Sequence, residues 1–460
     1  MDVLTAVKKS PMSRFQYLAV AACLLVIMID GFDVFVMGFV LPHLPEGFFD
    51  SNAEKGYLLS AGLAGMALGS LVLAPLGDRY GRRKLVLWCL IINFVGMATS
   101  SIAPNVEALT AARFVTGLGI GGMAASLIVL VQEYSSEKRR NAMVGVYSVG
   151  FPLGALVGGF VGTMLVSAFA GAWQAIFAFG AVATAFAFVV TAKLIPESID
   201  FLVTRDTADA RAEIAAITVK LRNPAIDASV RPVLPPQAAS TGSIRGLFED
   251  GMYYRTLLTW VMYSCLVSSF YFANTWTPEL VKISSGSVDL GTTAGLILSL
   301  GGLVGGLVFG VGALTTSAQK LLWIALLAAA ISITAFAAFL AHPSIVIALT
   351  VAVGLFTYIA LTASGAVVPP LYPVRARSTA IGWMQGIGRL FSISAPLAVG
   401  YALDFVPPQT LYYWSAMPML IGAVAAFALW RHVRNEVAPM DAVVESQSGH
   451  AHGSDEFAIS

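Results

Sequence analysis

The sequence predicts an all-α membrane protein of about twelve transmembrane helices in two six-helix halves, and three observations lead there. The first is composition: of 460 residues, 57% are hydrophobic and 12% charged, with a mean hydropathy of +0.78. Such a chain is too apolar for a water-soluble domain, so lipid must be its solvent. The second is the recurrence along the whole chain of apolar windows of roughly 20 residues, the length a helix needs to cross about 30 Å of hydrocarbon. The third is that basic residues gather in alternate connections between those windows. A net charge of +1 gives no support to a nucleic-acid partner.

Taken in order, the windows fall at 17–42, 56–76, 85–103, 106–132, 142–166, 171–194, 255–276, 291–314, 320–340, 344–370, 379–403 and 410–431. Lys8 and Lys9 precede the first, but its length and the lack of a cleavage site predict a retained helix and not a signal peptide. Windows five and six are divided only by Gly171 and its neighbours. One set of connections holds Lys8, Lys9, Arg14, Arg79, Arg82, Arg83, Lys84, Lys138, Arg139, Arg140, Arg375, Arg377, Arg431 and Arg434. The other holds only Lys55 and Lys282. Basic residues stay on the cytoplasmic side, so both termini and the long middle loop are expected there, which requires an even helix count.

The middle segment, with Pro196, Pro224, Pro232, Pro235 and Pro236, splits the chain. An N-terminal bundle covers 1–194, a cytoplasmic loop 195–254, a C-terminal bundle 255–431, and a polar, cytoplasmic tail expected to be disordered 432–460. Within the loop, ADARAEIAAITVKL (208–221) predicts an amphipathic surface helix. His450 and His452 in the tail are not expected to bind metal. Cys23, Cys89 and Cys265 lack ligand spacing and read as buried thiols. No metal or cofactor is expected. Two halves, each with inverted three-helix repeats, suggest rocking about a midplane site.

GDRYGRRK (77–84) joins the second and third windows. Gly77 and Gly81 permit a tight turn, and Asp78 among Arg79, Arg82 and Arg83 has the makings of a charge latch; a plain positive-inside anchor is the simpler alternative. The loop resembles the signature loop of the major facilitator superfamily, in which the acid meets a neighbouring helix end and the arginines form cytoplasmic ion pairs that break and reform during rocking. The matching loop of the second half, ALTTSAQK (313–320), lacks the acid and the arginines.

Further segments are DGFDVFVMGF (30–39), RFVTGLGIGG (113–122), QEYSSEKRR (132–140), PESIDFL (196–202) and YPVRARSTAIGWMQGIGRL (372–390). Together these are similar to the aromatic acid:proton symporter family over nearly the whole chain, with the paired acids of DG-aromatic-D the most specific element. The resemblance implies a major facilitator fold and proton-driven uptake, by a monomer in the bacterial inner membrane, of aromatic carboxylates such as hydroxybenzoates, benzoate or protocatechuate. Import of a non-aromatic acid of muconate or quinate type, and antiport export, are the alternatives. No Walker-type loop appears, so an ATP-driven pump is not expected; a transporter of this kind is not expected to be an enzyme.

Asp30 and Asp33 lie inside an apolar span, where a carboxylate is costly and faces a cavity, a partner or a proton path. Three residues apart, they fall near one helical face. Spacing makes both candidates for the proton and assigns it to neither; simple interhelical hydrogen-bond acceptors are the alternative. Arg113 is the candidate partner for these acids or for a substrate carboxylate, unless it snorkels to the outer interface. The family likeness lends weight to a functional role for Arg113 and places Glu133 in an inter-loop ion pair. Arg389, the one strongly basic residue inside its span, either binds the substrate anion, neutralises an acid of the other half, or forms a structural pair; Arg377 belongs with the loop network. Candidate ring contacts are Phe32, Tyr147, Phe270, Tyr271, Trp276, Tyr358 and Trp383. GFPLGALVGG (150–159) partly resembles an antiporter motif, but close helix packing explains it more simply.

Overall fold

The computed structural model describes residues 3–45, 47–169, 171–205, 207–221, 247–248 and 252–452, and these are almost wholly helical. A short helix α1 (Val3–Lys9) leads into α2 (Arg14–Val40), which starts at a reciprocal cap between Ser13 and Gln16. Next come α3 (Asn52–Val72), the single turn α4 (Leu76–Tyr80), α5 (Arg82–Ser101), α6 (Val106–Glu133), α7 (Arg140–Ala168) and α8 (Gln174–Leu194). Two surface helices follow, α9 (Ile199–Arg205) and α10 (Ala208–Leu221). The second half is α11 (Tyr253–Ser285), α12 (Val288–Gly312), α13 (Ala318–Ala338), α14 (Pro343–Val367), α15 (Val374–Ala402) and α16 (Pro408–His452).

Among the described residues eleven helices are long and apolar enough to cross a membrane. The twelfth, α15, is as long as α7 but carries Gln385, Arg389, Ser392 and Ser394 in mid-helix, polarity that suits an inter-half surface better than lipid. Helices α2, α3 and α5 to α8 pack together, α11 to α16 pack together, and α3 with α15, α7 with α12 and α2 with α11 join the two halves.

Several expectations meet the structure directly. Gly171, at φ +88°, makes the turn between α7 and α8. The amphipathic stretch 208–221 is α10, which buries Ala210, Ile217 and Leu221. Window seven was expected to end before Pro278, yet α11 continues to Ser285. The ring costs the Asn274 carbonyl its helical donor, but the next turn buries Glu279, Leu280 and Val281 and holds the helix on its course. At the end of the chain, α16 is helical through the segment expected to be disordered; Glu436, Ala438, Met440 and Ala442 there are good helix formers. Residues 222–246 of the middle loop and 453–460 of the tail lie outside the described residues.

Small residues set how closely the helices approach. A Cβ on Gly65, Gly69, Gly117 or Gly121 would strike backbone atoms across the α3–α6 seam, and one on Gly31 or Gly154 would strike backbone across the α2–α7 seam. Gly150, Gly154, Gly158 and Gly159 all face α2, so GFPLGALVGG is a packing stripe.

The two ends of the molecule differ. At the end away from the basic loops, Nζ of Lys55 meets Glu279 at 2.7 Å, and Lys282 reaches the other oxygen of Glu279 at 3.7 Å. Asn52 donates to Asp404 at 2.7 Å, Tyr57 bonds Tyr401, and the Trp276 indole N–H donates to the Pro396 carbonyl at 3.2 Å. Gly56 and Gly400 bring α3 and α15 into backbone contact. At the basic end, Gly145 on α7, Gly306 and Gly310 on α12, and Gly382 and Gly386 on α15 have open space where a Cβ would stand. The halves are drawn together at the end away from the basic loops.

Candidate functional site

Asp33 sits on the side of α2 that faces α5, α6 and α8. Its Oδ1 is 2.5 Å from Nη1 of Arg113, and Nη2 of Arg113 donates to the Asp33 carbonyl at 2.8 Å. Asn93 donates to its Oδ2 at 2.9 Å, and Thr184 in turn donates to Asn93 at 3.0 Å. The guanidinium lies 5.7 Å from the centre of the Phe177 ring. Arg113 is only 2% exposed, so it does not snorkel. A pair this deep survives because its remaining hydrogen-bonding capacity is largely used. Beside Arg113, a cavity of about 10 Å³ between α2, α3, α6 and α11 has room for about one water.

Asp30, three residues earlier and also buried, has different surroundings. Its Oδ1 has no hydrogen-bond partner among the described residues. The charges acting on it are those of Asp33 on its own helix and Arg389 on α15, in the other half. Tyr147 on α7 lies within electrostatic reach of Asp30, Tyr271 within reach of both Asp30 and Arg389, and Tyr263 within reach of Arg389. The half-buried Arg389 touches the Met66 sulfur at 3.9 Å and forms no ion pair within 4 Å among the described residues. The two acids keep the spacing expected of i, i+3 neighbours but meet different partners. The 300° turned over three residues leaves them about 60° apart, enough to send Asp33 into the N-terminal bundle and Asp30 toward the inter-half side.

Rings from both halves meet here. Phe270 packs edge-on against Phe35 (6.0 Å), Tyr271 (5.4 Å) and Tyr358 (5.0 Å), and Phe35 against Phe151 (5.5 Å). Of the aromatic residues singled out in the sequence, Tyr147 and Tyr271 lie within electrostatic reach of Asp30, and Phe270 and Tyr358 join Tyr271 in one ring cluster. Phe32 instead packs on Phe179 between α2 and α8, Trp276 bonds α15 near the closed end, and the partly exposed Trp383 stacks on Trp260.

The arginine loop is a second cluster. Gly81 takes φ +111°, and a Cβ there would run into Glu197. Arg82 pairs with Glu133, donates to Ser198 at 3.3 Å and reaches the largely exposed Asp78 at 3.5 Å. The acid that meets a helix end is Glu197, which accepts from the Arg83 N–H at 3.0 Å at the start of α5. Arg83 donates to the Ala192 carbonyl at 2.6 Å, and Arg205 to the Arg79 carbonyl at 2.9 Å. Gly77 lies tight against Ser126 and Leu85. Tyr134 donates to the Glu197 carbonyl at 2.6 Å; burial, and after it the carboxylates of Glu197, Glu213 and Asp200, push its phenol well above the usual range and keep it a donor. In the second half, Lys320 sits 6.0 Å from the Trp430 ring, and Nε of Arg377 has no partner among the described residues.

Residues 23–337 match the family model of the Major Facilitator Superfamily, which is well over half of the chain. The chain belongs to the major facilitator superfamily. The fold agrees: the partially occluded inward-open form of the xylose transporter XylE from E. coli superposes with a TM-score of 0.70 at 15% identity, covering 91% of this chain and 98% of that one. Among curated relatives, a 4-hydroxybenzoate transporter of Pseudomonas putida is 29% identical over 85% of this chain and 87% of its own length. A gallate transporter of the same species is 28% identical over 93% and 95%, and a benzoate transport protein of Acinetobacter baylyi is 24% identical over 93% and 92%. This superfamily member is therefore a multi-pass membrane transport protein and not an enzyme, and the three curated relatives named above are bacterial transporters of aromatic acids.

Residues not singled out in the sequence complete the site. Asn93 left a signal, as an amide in the middle of an apolar span. Glu279 left another, as an acid in the last turns of α11. Glu197 stood in the quoted PES segment without a role.

Proposed function

We propose that this transporter carries a small aromatic carboxylate together with at least one proton into a bacterial cell across the inner membrane, by alternating exposure of a midplane site, with both termini and the basic loops cytoplasmic. The observation that carries the proposal is the opposition of Asp30 in one half and Arg389 in the other across a ring-lined interface, each without a close ionic partner among the described residues. Asp30 holds the proton and Arg389 takes the carboxylate. Asp33 is already satisfied by Arg113 and Asn93, so it anchors the N-terminal bundle.

Charge counting explains the coupling. A neutral Asp30 leaves Arg389 free to neutralise a bound anion; an empty carrier returns with Asp30 and Arg389 neutralising each other. A half-loaded carrier would close over an uncompensated charge, which the low-dielectric interior penalises by several kcal/mol. Inward movement of an anion alone also costs about 2.3 kcal/mol per 100 mV of interior-negative potential, which one accompanying proton removes. The rings of Phe35, Phe270, Tyr271 and Tyr358 suit a flat substrate better than a muconate-like acid.

Proteoliposomes loaded at alkaline pH and diluted into acid medium with labelled benzoate or 4-hydroxybenzoate test this. Accumulation above equilibrium, abolished by a protonophore, is expected. No gradient-driven accumulation of either acid would sink the proposal.

A further inference from the structure

Tyr358 on α14 presents an anomaly that charge coupling does not use. It is 3% exposed, and its hydroxyl has no hydrogen-bond partner among the described residues. Native structures seldom leave such a group unpaired, and an unpaired buried hydroxyl in this position points to a partner that arrives from outside the chain. The ring is fixed: Gly302 on α12 lies directly against it, where any Cβ would collide with ring carbons, and Phe270 packs edge-on at 5.0 Å. Phe270 packs edge-on against Tyr271 at 5.4 Å as well as against Tyr358, so the two tyrosines flank one ring, and Tyr271 lies within electrostatic reach of Arg389.

We infer that the Tyr358 hydroxyl recognises a ring hydroxyl on the side of the substrate remote from its carboxylate, so that the site selects ring-hydroxylated aromatic acids over unsubstituted benzoate. The inference rests on the aromatic-acid reading above and narrows it. With the carboxylate at Arg389 and the ring along Phe270 and Tyr271, a para hydroxyl points at Tyr358, which can both donate and accept. A ring without that hydroxyl leaves Tyr358 unpaired as it is now. A hydroxyl ortho to the carboxylate stays at the Arg389 end and gains nothing from Tyr358. Sites that pair a substrate hydroxyl discriminate by this asymmetry, which a purely apolar pocket cannot reach.

The test compares wild type and Tyr358→Phe in gradient-driven uptake of 4-hydroxybenzoate, 2-hydroxybenzoate and benzoate, with ligand-induced thermal stabilisation of the purified protein as a second readout. Wild type is expected to prefer 4-hydroxybenzoate by about tenfold or more over the other two. Tyr358→Phe should remove that preference by raising the half-saturation for 4-hydroxybenzoate alone, and should lose the extra stabilisation by that ligand. The variant is isosteric and discards an unpaired hydroxyl, so its ligand-free thermal midpoint should equal or exceed that of wild type, which separates recognition from a folding defect. An unchanged ratio among the three acids, or equal losses for all three, overturns the inference while leaving aromatic-acid transport standing. Failure of wild type to accumulate any of the three overturns both.

Discussion

Arg113 and Asp33 form an ion pair of 2.5 Å between side chains that are 3% and 0% exposed, and Asn93 of α5, itself held by Thr184 of α8, donates a further hydrogen bond to Asp33. Removing one member leaves the other charged and buried, a loss of about 3–5 kcal/mol, whereas removing both charges leaves a neutral polar cluster. Arg113→Gln should therefore lower the unfolding midpoint of the detergent-solubilised protein sharply, and Asp33→Asn with Arg113→Gln should recover much of it. Equal midpoints for the single and double variants would show that the pair is not what holds these helices.

Asp30 should respond differently. Asn is nearly isosteric with Asp and no hydrogen bond of Oδ1 is lost, so Asp30→Asn should fold normally. The variant cannot release a proton, and it should lose gradient-driven accumulation while keeping exchange of labelled for unlabelled substrate, with an exchange rate independent of pH. Asp33→Asn should lose both through its effect on the fold. Wild-type accumulation by Asp30→Asn would move the proton elsewhere.

These two residues also mark how far the sequence could be read. Twelve spans, the six-plus-six division and the loop cluster at 77–84 follow from hydropathy and charge, because the cost of burying polar groups in lipid acts on local stretches of chain. The separation of Asp30 from Asp33 does not, because about 60° of helical phase becomes a difference of partners only once α5, α6 and α15 are in place. The same holds for Glu197, which takes the helix-end position expected for Asp78: the segment was visible, but its return to the start of α5 depends on how α8 ends. Phe32 shows the limit for rings. A phenylalanine beside two acids looks like a cavity residue in sequence, yet it is claimed by Phe179, Gly158 and Gly180.

The glycine seams give a paired prediction. A Cβ at Gly154 would strike the Met28 carbonyl, while one at Gly145, on the same helix, would meet nothing within 4 Å. Overpacking of this kind costs about 1–3 kcal/mol. Gly154→Ala should lower the thermal midpoint of the purified protein, and Gly145→Ala should leave it level or raise it slightly through better helix propensity. The reverse order would mean that the α2–α7 seam is looser than its contacts imply.

The contact between Lys55 and Glu279 spans the two halves at their closed end, with Glu279 only 3% exposed and Lys282 as its second cation. Under the alternating exposure proposed above this end opens once per cycle, so the pair should bias the equilibrium between open and closed without taking part in binding. Lys55→Ala removes the inter-half cation and leaves Glu279 with the more distant Lys282 of its own helix, which should favour the outward-open form by about 1–2 kcal/mol, a factor of about 5–30 in the equilibrium. Closure can be read at Asn52 and Asp404, whose side chains meet at 2.7 Å. With Cys23, Cys89 and Cys265 replaced, Asn52→Cys and Asp404→Cys should be joined by a short bifunctional thiol reagent, and joining them should arrest uptake. Adding Lys55→Ala should slow the cross-linking by a similar factor and raise labelling of the same cysteines by a membrane-impermeant reagent from outside. Unchanged cross-linking and labelling in the Lys55→Ala background would show that packing at Gly56 and Gly400, and not the ion pair, holds this end shut.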